Sequence, residues 1–150
     1  MRKLTIVRRK AFGGSLVSLK IYVEDPASNE LVIDGVACKY VGFVNNGEYK
    51  TVEISDEAQK VFVIYDAKTK DTLKGVAQIE AGTEDVLLTG GCILDAKIGA
   101  PFVFDEVADQ ELFANSKPST KKKDSALKIL KVVFIILGFL AGFLFASALF

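Results

Sequence analysis

Apolar and polar residues alternate along most of the first 105 residues. In residues 17–23, every second residue is Val, Leu or Ile, and the residues between them are Ser18, Lys20 and Tyr22. This period of two predicts a strand with one face in a core and the other in water. Similar patterns predict further strands over residues 3–9, 31–33, 37–44, 49–54, 61–65, 73–79, 86–88 and 102–104.

Short turn motifs separate several of these segments. Asp34-Gly35 and Asn46-Gly47 are dipeptides that favour tight hairpins, because their residues adopt positive φ at low cost. Strands at intervals of roughly ten residues predict an antiparallel β-sandwich or a small barrel. Residues 1–105 suffice for this mainly β domain, since an ordinary domain takes about 100 to 150 residues.

A different pattern occupies the C-terminal residues. Residues 132–150 form a run of nineteen without a charge, and thirteen of them are Val, Ile, Leu or Phe. As an α-helix this run is about 28 Å long, close to the roughly 30 Å hydrocarbon core of a bilayer. A buried core helix would need partners on every face, which so small a domain does not supply. We predict a transmembrane helix over residues 127–150, after a flexible Lys-rich linker over residues 106–126.

Small residues recur every four positions in the predicted helix. Gly138, Gly142 and Ala146 therefore lie along one stripe. Small side chains on a membrane helix let a partner backbone approach closely. The stripe predicts association with a second copy of the helix or with a partner membrane subunit, although Gly and Ala are also common in membrane helices in general.

The sequence before the uncharged run is basic. Residues 117–150 hold six lysines against one acid, whereas residues 1–116 hold 13 Lys or Arg against 18 Asp or Glu. Lysine-rich flanks stay on the cytoplasmic side of a membrane, and the charged N-terminal sequence does not form a signal peptide. We expect a single-pass protein of the cell membrane with a cytoplasmic N-terminal domain. The lysines expected at the membrane surface, where they attract anionic lipids, are Lys117, Lys121, Lys122, Lys123, Lys128 and Lys131.

The composition excludes the commonest catalytic classes. The chain has no histidine, so histidine acid–base catalysis, Ser-His-Asp hydrolysis and Cys-His proteolysis do not apply. Its two cysteines, Cys38 and Cys92, suit a reducing cytosol better than the disulfide framework of a secreted domain. A reactive Cys92 would need a cationic neighbour or a helix N-terminus, and the sequence indicates neither.

Two further groups of residues look like site motifs but lack the required spacing. The Gly-Gly motifs at residues 13–15 and 90–92 have neither a P-loop nor a dinucleotide-binding spacing, so we interpret them as hairpin or bulge glycines. A group of acids lacks the frame of an EF-hand, which predicts a solvated acidic segment leading into the linker. These acids are Asp105, Glu106, Asp109 and Glu111. We expect no metal, no cofactor and, because the domain is acidic, no nucleic acid partner.

The first half of the domain resembles a known family. A strand ends in Asp34-Gly35, a second contains Val41-Gly42, Asn46-Gly47 makes a turn, and residues 52–54 lead to an apolar strand at 61–65. This order is similar to small bacterial β-sandwich domains of the PEGA or carboxypeptidase-regulatory type. The Pro-x-Gly-x segment of the PEGA pattern is missing. The resemblance implies a non-catalytic, often surface-adapting module, and it implies no substrate and no functional residues.

Together these patterns predict a non-catalytic, tail-anchored membrane protein. Its cytoplasmic β-domain would act as an interaction or adaptor module for a protein partner, or as a small subunit of a membrane assembly. The alternative is a small membrane-associated enzyme that uses carboxylates or Cys92. In a third hypothesis the helix does the binding and the β-domain is only a head. A deep pocket of converging acids would favour the enzyme, whereas an exposed edge strand would favour the interaction module.

Overall fold

The computed structural model of the protein describes residues 1–11, 17–65, 74–93 and 101–122. Within these ranges 54% of the residues lie in strands, so the chain is mainly β as predicted. The elements are, in chain order, β1 (Arg2–Arg8), β2 (Leu19–Glu24), β3 (Leu31–Ile33), β4 (Val36–Val44), β5 (Glu48–Ile54), β6 (Gln59–Ile64), β7 (Gly75–Ile79), β8 (Val86–Cys92), β9 (Phe102–Phe104), α1 (Gln110–Ala114) and β10 (Lys117–Pro118).

The strands form two five-stranded sheets. Sheet A has the order β10-β5-β1-β8-β9, and sheet B has the order β3-β4-β2-β6-β7. The inner faces of both sheets contribute to one buried cluster, with Leu4 and Ile6 from sheet A and Ile21 from sheet B. The sheets therefore pack face to face around a shared core, in a sandwich-like arrangement.

One central pair of strands runs parallel, which corrects the prediction of a wholly antiparallel fold. β1 pairs antiparallel with β5 and parallel with β8. Strand β7 ends in sheet B at Ile79, and β8 enters sheet A at Val86, opposite Leu4 near the start of β1. Because β1 and β8 both begin at this end of sheet A, they run in the same direction. The alternating pattern fixes which face of a strand is buried but not the direction of its neighbour.

Both predicted hairpin turns are present. Asp34 and Gly35 have positive φ values of 53° and 77° and connect β3 to β4. Gly47, with φ of 74°, connects β4 to β5, and the backbone N–H of Glu48 closes the turn onto the carbonyl oxygen of Asn45 at 3.1 Å. These turns set the register of the adjoining strands.

The hairpin of β3 and β4 encloses a second apolar cluster, which contains Tyr22, Phe62 and Cys38. An ion pair between Lys74 and Asp34 holds the tip of this hairpin. Burial raises the pKa of the Cys38 thiol, so this cysteine behaves as a small core residue.

Arg2 closes one end of the sandwich. Its side chain is buried, and its guanidinium donates to the carbonyl oxygens of Ser55 and Glu57, both at 3.3 Å, and of Glu80. The loops after β5 and β7 are thereby held together by one charged group that makes several hydrogen bonds. We call the end of the sandwich that contains Arg2 and these loops the far end of the domain.

The interpretation of Gly90 and Gly91 as hairpin or bulge glycines is wrong. Both lie inside β8 and pair in register with Phe104 and Val103 of β9. A Cβ atom on Gly90 would lie 2.4 Å from the carbonyl oxygen of Val103 and 2.9 Å from the ring of Phe102. Glycine is required here because β9 and its aromatic ring pack directly onto the backbone of β8.

We expect Gly90→Ala to lower the free energy of unfolding by roughly 1–3 kcal/mol, because the added Cβ must displace β9 from β8. Gly82→Ala is the matched control, since its Cβ meets only the guanidinium end of Arg2, at 3.3 Å. Chemical denaturation followed by circular dichroism measures both. Wild-type stability in Gly90→Ala would contradict the close packing of β9.

Candidate functional site

Several strand ends meet at the end of the sandwich opposite the far end, and we call this the tail end. The N–H of Gly47 donates to the carbonyl oxygen of Arg8 at 3.0 Å, and Leu19 pairs with Val44. The described chain also finishes here, because the backbone of Lys121 lies against the turn between β4 and β5. Residues that follow the domain in sequence therefore leave it from this end.

Residues 105–122, here called the C-terminal arm, cross the outer face of sheet A. The arm starts after β9 at one edge of the sheet and reaches the opposite edge at β10. Along this path the ring of Phe113 packs on Tyr49, with centroids 5.1 Å apart. Val7 faces the same side as Tyr49, its partner in β5, and is fully buried. The arm thus covers the outer face of sheet A at the tail end, whereas Lys3 and Thr51 on the same face are exposed.

Much of the predicted linker is therefore packed on the domain. A flexible linker was expected over residues 106–126, but residues 106–122 contain α1 and β10; residues 123–126 lie outside the described residues. The polar residues that suggested a linker make the bonds that fix the arm. Asp109 caps α1 by accepting the N–H of Leu112 at 2.9 Å, and the hydroxyl of Ser116 donates to the carbonyl oxygen of Leu112 at 2.7 Å.

Asn45 holds the last part of the arm. It is 2% exposed, and its backbone N–H donates to the hydroxyl of Ser119 at 3.0 Å. Its side-chain NH₂ donates to the carboxylate of Glu48 at 2.8 Å and to the carbonyl oxygen of Lys121 at 2.9 Å. Its amide oxygen accepts from the hydroxyl of Ser18. Each polar atom of this side chain has a partner, as burial requires.

An ion pair between Arg9 and Asp105 fixes the start of the arm. The guanidinium donates to both carboxylate oxygens, at 3.1 and 2.8 Å, and the hydroxyl of Thr89 donates to the same carboxylate. The hydrogen bonds from Arg9 lower the pKa of Asp105, and those to Asp105 raise the pKa of Arg9. Asp105 was predicted to lie in a solvated acidic segment, but it lies in this ion pair instead. β1 and β9 flank β8, and this order of strands brings Arg9 and Asp105 together.

Of the other acids in that predicted segment, Asp109 caps α1 and its own N–H donates to the hydroxyl of Thr89 at 3.0 Å. Glu106 and Glu111 are exposed. In the part of the chain that the structure describes, no group of three or more Cys, Asp or Glu side chains is arranged to hold a metal ion.

A buried arginine closes the core at the tail end. Arg8 is fully buried, and its guanidinium donates to the carbonyl oxygens of Val17 at 2.7 Å and Val44 at 3.4 Å. Burial lowers the pKa of Arg8, while Cys92 and Tyr65 act in the opposite direction. The pKa of Tyr65 is raised, mainly by burial. The hydrogen bond from the Tyr65 hydroxyl to the Cys92 sulfur, at 3.4 Å, raises it further.

Cys92 thus has the cationic neighbour that the sequence did not indicate. The parallel pairing of β1 and β8 sets Arg8 opposite Gly90, although the two strands are far apart in sequence. The sequence does contain one signal that Arg8 is buried. Leu4, Ile6 and Arg8 follow the period of two, which predicts that Arg8 faces the core. The thiol itself is 7% exposed, and the cavity beside it has a volume of about 100 Å³. This is room for a few water molecules.

The structure describes three of the six lysines expected at the membrane surface. Lys117, Lys121 and Lys122 are all exposed on the arm at the tail end. Lys10 is also exposed and lies beside the turn at Gly47. The remaining predicted residues lie outside the described residues, and they are Lys123, Lys128, Lys131, Gly138, Gly142 and Ala146.

Among the residues that the structure describes, no helix is both long enough and apolar enough to cross a membrane. The predicted span over residues 127–150 lies outside them. No protein-family model and no curated protein matches the chain. The resemblance to PEGA-type domains therefore stays a prediction.

We expect Asn45→Ala to lower the free energy of unfolding by about 2–4 kcal/mol, because it leaves buried partners unpaired. It should also release the arm, which hydrogen exchange at the amide of Ser119 measures, since that amide donates to the carbonyl oxygen of Tyr49 at 2.8 Å. Asn46→Ala is the control, because its side chain bonds only the backbone of Ala11. Equal exchange at Ser119 in both variants would show that Asn45 does not hold the arm.

The lowered pKa of Asp105 predicts a pH-dependent stability. In the unfolded chain the pKa of an Asp is about 3.9, so the pair with Arg9 stabilises the fold fully above that pH. This stabilisation is lost as the pH falls through the lower, folded-state pKa. Asp105→Asn should be less stable than wild type at neutral pH, and the difference should shrink in acid. Urea denaturation over a range of pH tests this, with the exposed neighbour Glu106→Gln as a control that keeps the wild-type pH profile.

Proposed function

We propose that this chain is a non-catalytic, membrane-tethered interaction module. In this proposal the sandwich-like domain lies on the cytoplasmic face of the cell membrane, anchored by a single transmembrane helix over residues 127–150. The run of nineteen uncharged residues supports the anchor, and the lysines before it support the orientation.

The packing of the C-terminal arm is the observation that carries the proposal. Ser119 and Lys121 are bonded to Asn45, so only residues 122–126 separate the held backbone from the predicted helix. These five residues span at most about 18 Å, whereas the 21 residues of the predicted linker would span about 70 Å. A short tether keeps the domain near other proteins of the same membrane and raises its effective concentration there.

The distribution of charge is consistent with this orientation. The tail end, where the chain leaves the domain, exposes Lys10, Lys117 and Lys121. A lysine near an anionic membrane surface contributes roughly 1 kcal/mol of attraction. The far end exposes acids such as Glu57 and Glu84. A domain with this polarity is attracted to the membrane by the end that bears the tether and presents its acidic end to the cytosol.

The predicted helix adds a second contact in this proposal. Gly138, Gly142 and Ala146 would let it associate with a second copy or with a partner membrane subunit. The domain and the helix would then contact different parts of one assembly, as in a small subunit that joins a membrane component to a cytoplasmic one.

The alternative, an enzyme that uses carboxylates or Cys92, has less support. Cys92 is almost completely buried, and the cavity beside it is small. Within the described ranges, the larger clefts lie at the far end and are lined by exposed acids. Acids that are exposed to water lack the enclosed surroundings in which an enzyme strengthens its electrostatic interactions with a substrate.

We expect removal of residues 132–150 to release the protein from membranes, because it deletes the uncharged run and leaves only lysines whose attraction is screened by salt. Full-length chain should stay in the membrane pellet after an alkaline carbonate wash, and the shortened chain should not. Leu140→Arg tests insertion in the intact chain, because a charge near the centre of the run opposes it. Retention of the shortened chain in the pellet at high salt would mean that the anchor lies elsewhere.

A further inference from the structure

Strand β5 leaves part of one edge open. β1 pairs with one side of β5 from Tyr49 to Ile54, but β10 covers only Glu48 and Tyr49 on the other side. The carbonyl oxygen of Tyr49 accepts a bond on that second side. In an antiparallel pair every second residue directs its N–H and C=O to the same side, so Thr51 and Glu53 direct theirs to this edge. Within the ranges the structure describes, no backbone hydrogen bond occupies it beyond Tyr49.

The open edge borders a cleft of about 340 Å³ between the two sheets. Near the turn between β4 and β5 the sheets touch, since Gly42 lies against the side chain of Lys50. Farther from the turn they separate, and Val23 and Ile54 line the cleft between them. Val41, the extra residue at the bulge of β4, also lines it and is only half-buried. The cleft therefore offers apolar surface beside unpaired backbone groups.

The rim of the cleft is negatively charged. Its cations are Lys39 and the amino group of Met1, and the latter is already paired with Asp56 at 2.8 Å. Its carboxylates are Glu24, Asp25, Glu53 and Glu57. Negative potential at a rim favours partners that carry positive charge and disfavours acidic ones.

We propose that the open edge of β5 and this cleft bind an extended segment of a partner protein in which basic and apolar side chains alternate. The proposal rests on the proposed function, for which it names the binding surface and the chemistry of the partner. The segment adds a strand to sheet A in line with β10, and its backbone bonds Thr51 and Glu53. Successive side chains of a strand point to opposite faces. Apolar side chains therefore enter the cleft toward Val41 and Ile54, while basic ones lie beside Glu53 and the rim.

The position of the cleft fits a partner that approaches from the cytosol. The cleft extends toward the far end, where Met1 and the loop at 55–58 line it. The tether leaves from the tail end, so a domain held by it at the membrane keeps the cleft accessible. Charge complementarity selects the partner, and the unpaired backbone groups fix its extended conformation.

A direct test uses a fluorescein-labelled heptapeptide of alternating Lys and Val, with full-length protein in neutral detergent micelles. Two control peptides replace either every Lys by Glu or every Val by Gly. Fluorescence anisotropy should show saturable binding of the Lys-Val peptide, and binding of each control peptide at least about tenfold weaker. Neutral detergent removes attraction between the peptide and anionic lipid.

Variants separate the edge from the charges. Thr51→Pro removes the outward N–H of β5 without breaking a bond to β1, because Thr51 directs its backbone away from that strand. Thr51→Val is its matched control, since it keeps the N–H and, like Pro, loses the hydroxyl contact with Thr5 at 2.9 Å. Glu53→Lys with Glu57→Lys reverses two exposed rim charges. Thr51→Pro and the double variant should each weaken binding by at least about tenfold, and Thr51→Val should not.

Unchanged peptide binding in the double variant would overturn the proposal, and this variant decides the result if Thr51→Pro does not fold. The proposal would also be overturned if the edge is filled by a second copy of the chain. In that case Thr51→Pro would lower the oligomeric state of the protein in micelles, Thr51→Val would not, and the peptide would not bind the wild-type protein. Membrane anchoring is measured separately by the carbonate wash, so a failure of the tether and a failure of the cleft give different results.

Discussion

The pairing of β1 on both of its sides is the constraint on which the rest of the structure depends. β5 lies on one side in antiparallel register and β8 on the other in parallel register. The inner face of β1 lies in the core, and its outer face is buried at Val7. This pairing also places arginines at both ends of the domain, with Arg2 and Arg8 in the strand and Arg9 directly after it. Arg2 bonds the loops of the far end, while Arg8 and Arg9 reach Cys92 and Asp105 at the tail end.

The buried polar residues of the tail end stabilise the fold. Asn45, Arg8 and Ser119 are buried, and their hydrogen bonds join segments that are distant in sequence. A buried polar group without partners destabilises a fold, so these bonds favour one arrangement of the arm over others. The arm is consequently held at its start by an ion pair and at its end by Asn45. A segment that looks like a linker in sequence becomes part of the domain, which shortens the proposed tether.

In the proposed function, the two ends of the domain have different roles. At the tail end, lysines and the departing chain suit contact with a membrane surface. Between the sheets and toward the far end, the open edge of β5 and the acidic rim suit contact with a protein. Edge strands that stay open are exposed to unwanted pairing, and here β10 and charged side chains such as Lys50 and Glu53 limit it. The same features restrict which partner strand the edge accepts.

The alternation of residues in the sequence determined the strands and the faces that line the core between the sheets, and Asp34-Gly35 and Asn46-Gly47 determined two hairpins, because both signals are local. The alternation placed Tyr22 in water, which is wrong, because this side chain is buried in the second apolar cluster. The sequence also indicated that Arg8 faces the core and that residues 132–150 suit a bilayer. Only the tertiary structure decided the parallel direction of β8, the role of Gly90, the packing of the C-terminal arm and the contact of Arg8 with Cys92. These depend on which strands become neighbours across long stretches of chain. A period of two carries no information about that choice, because it repeats identically in every strand.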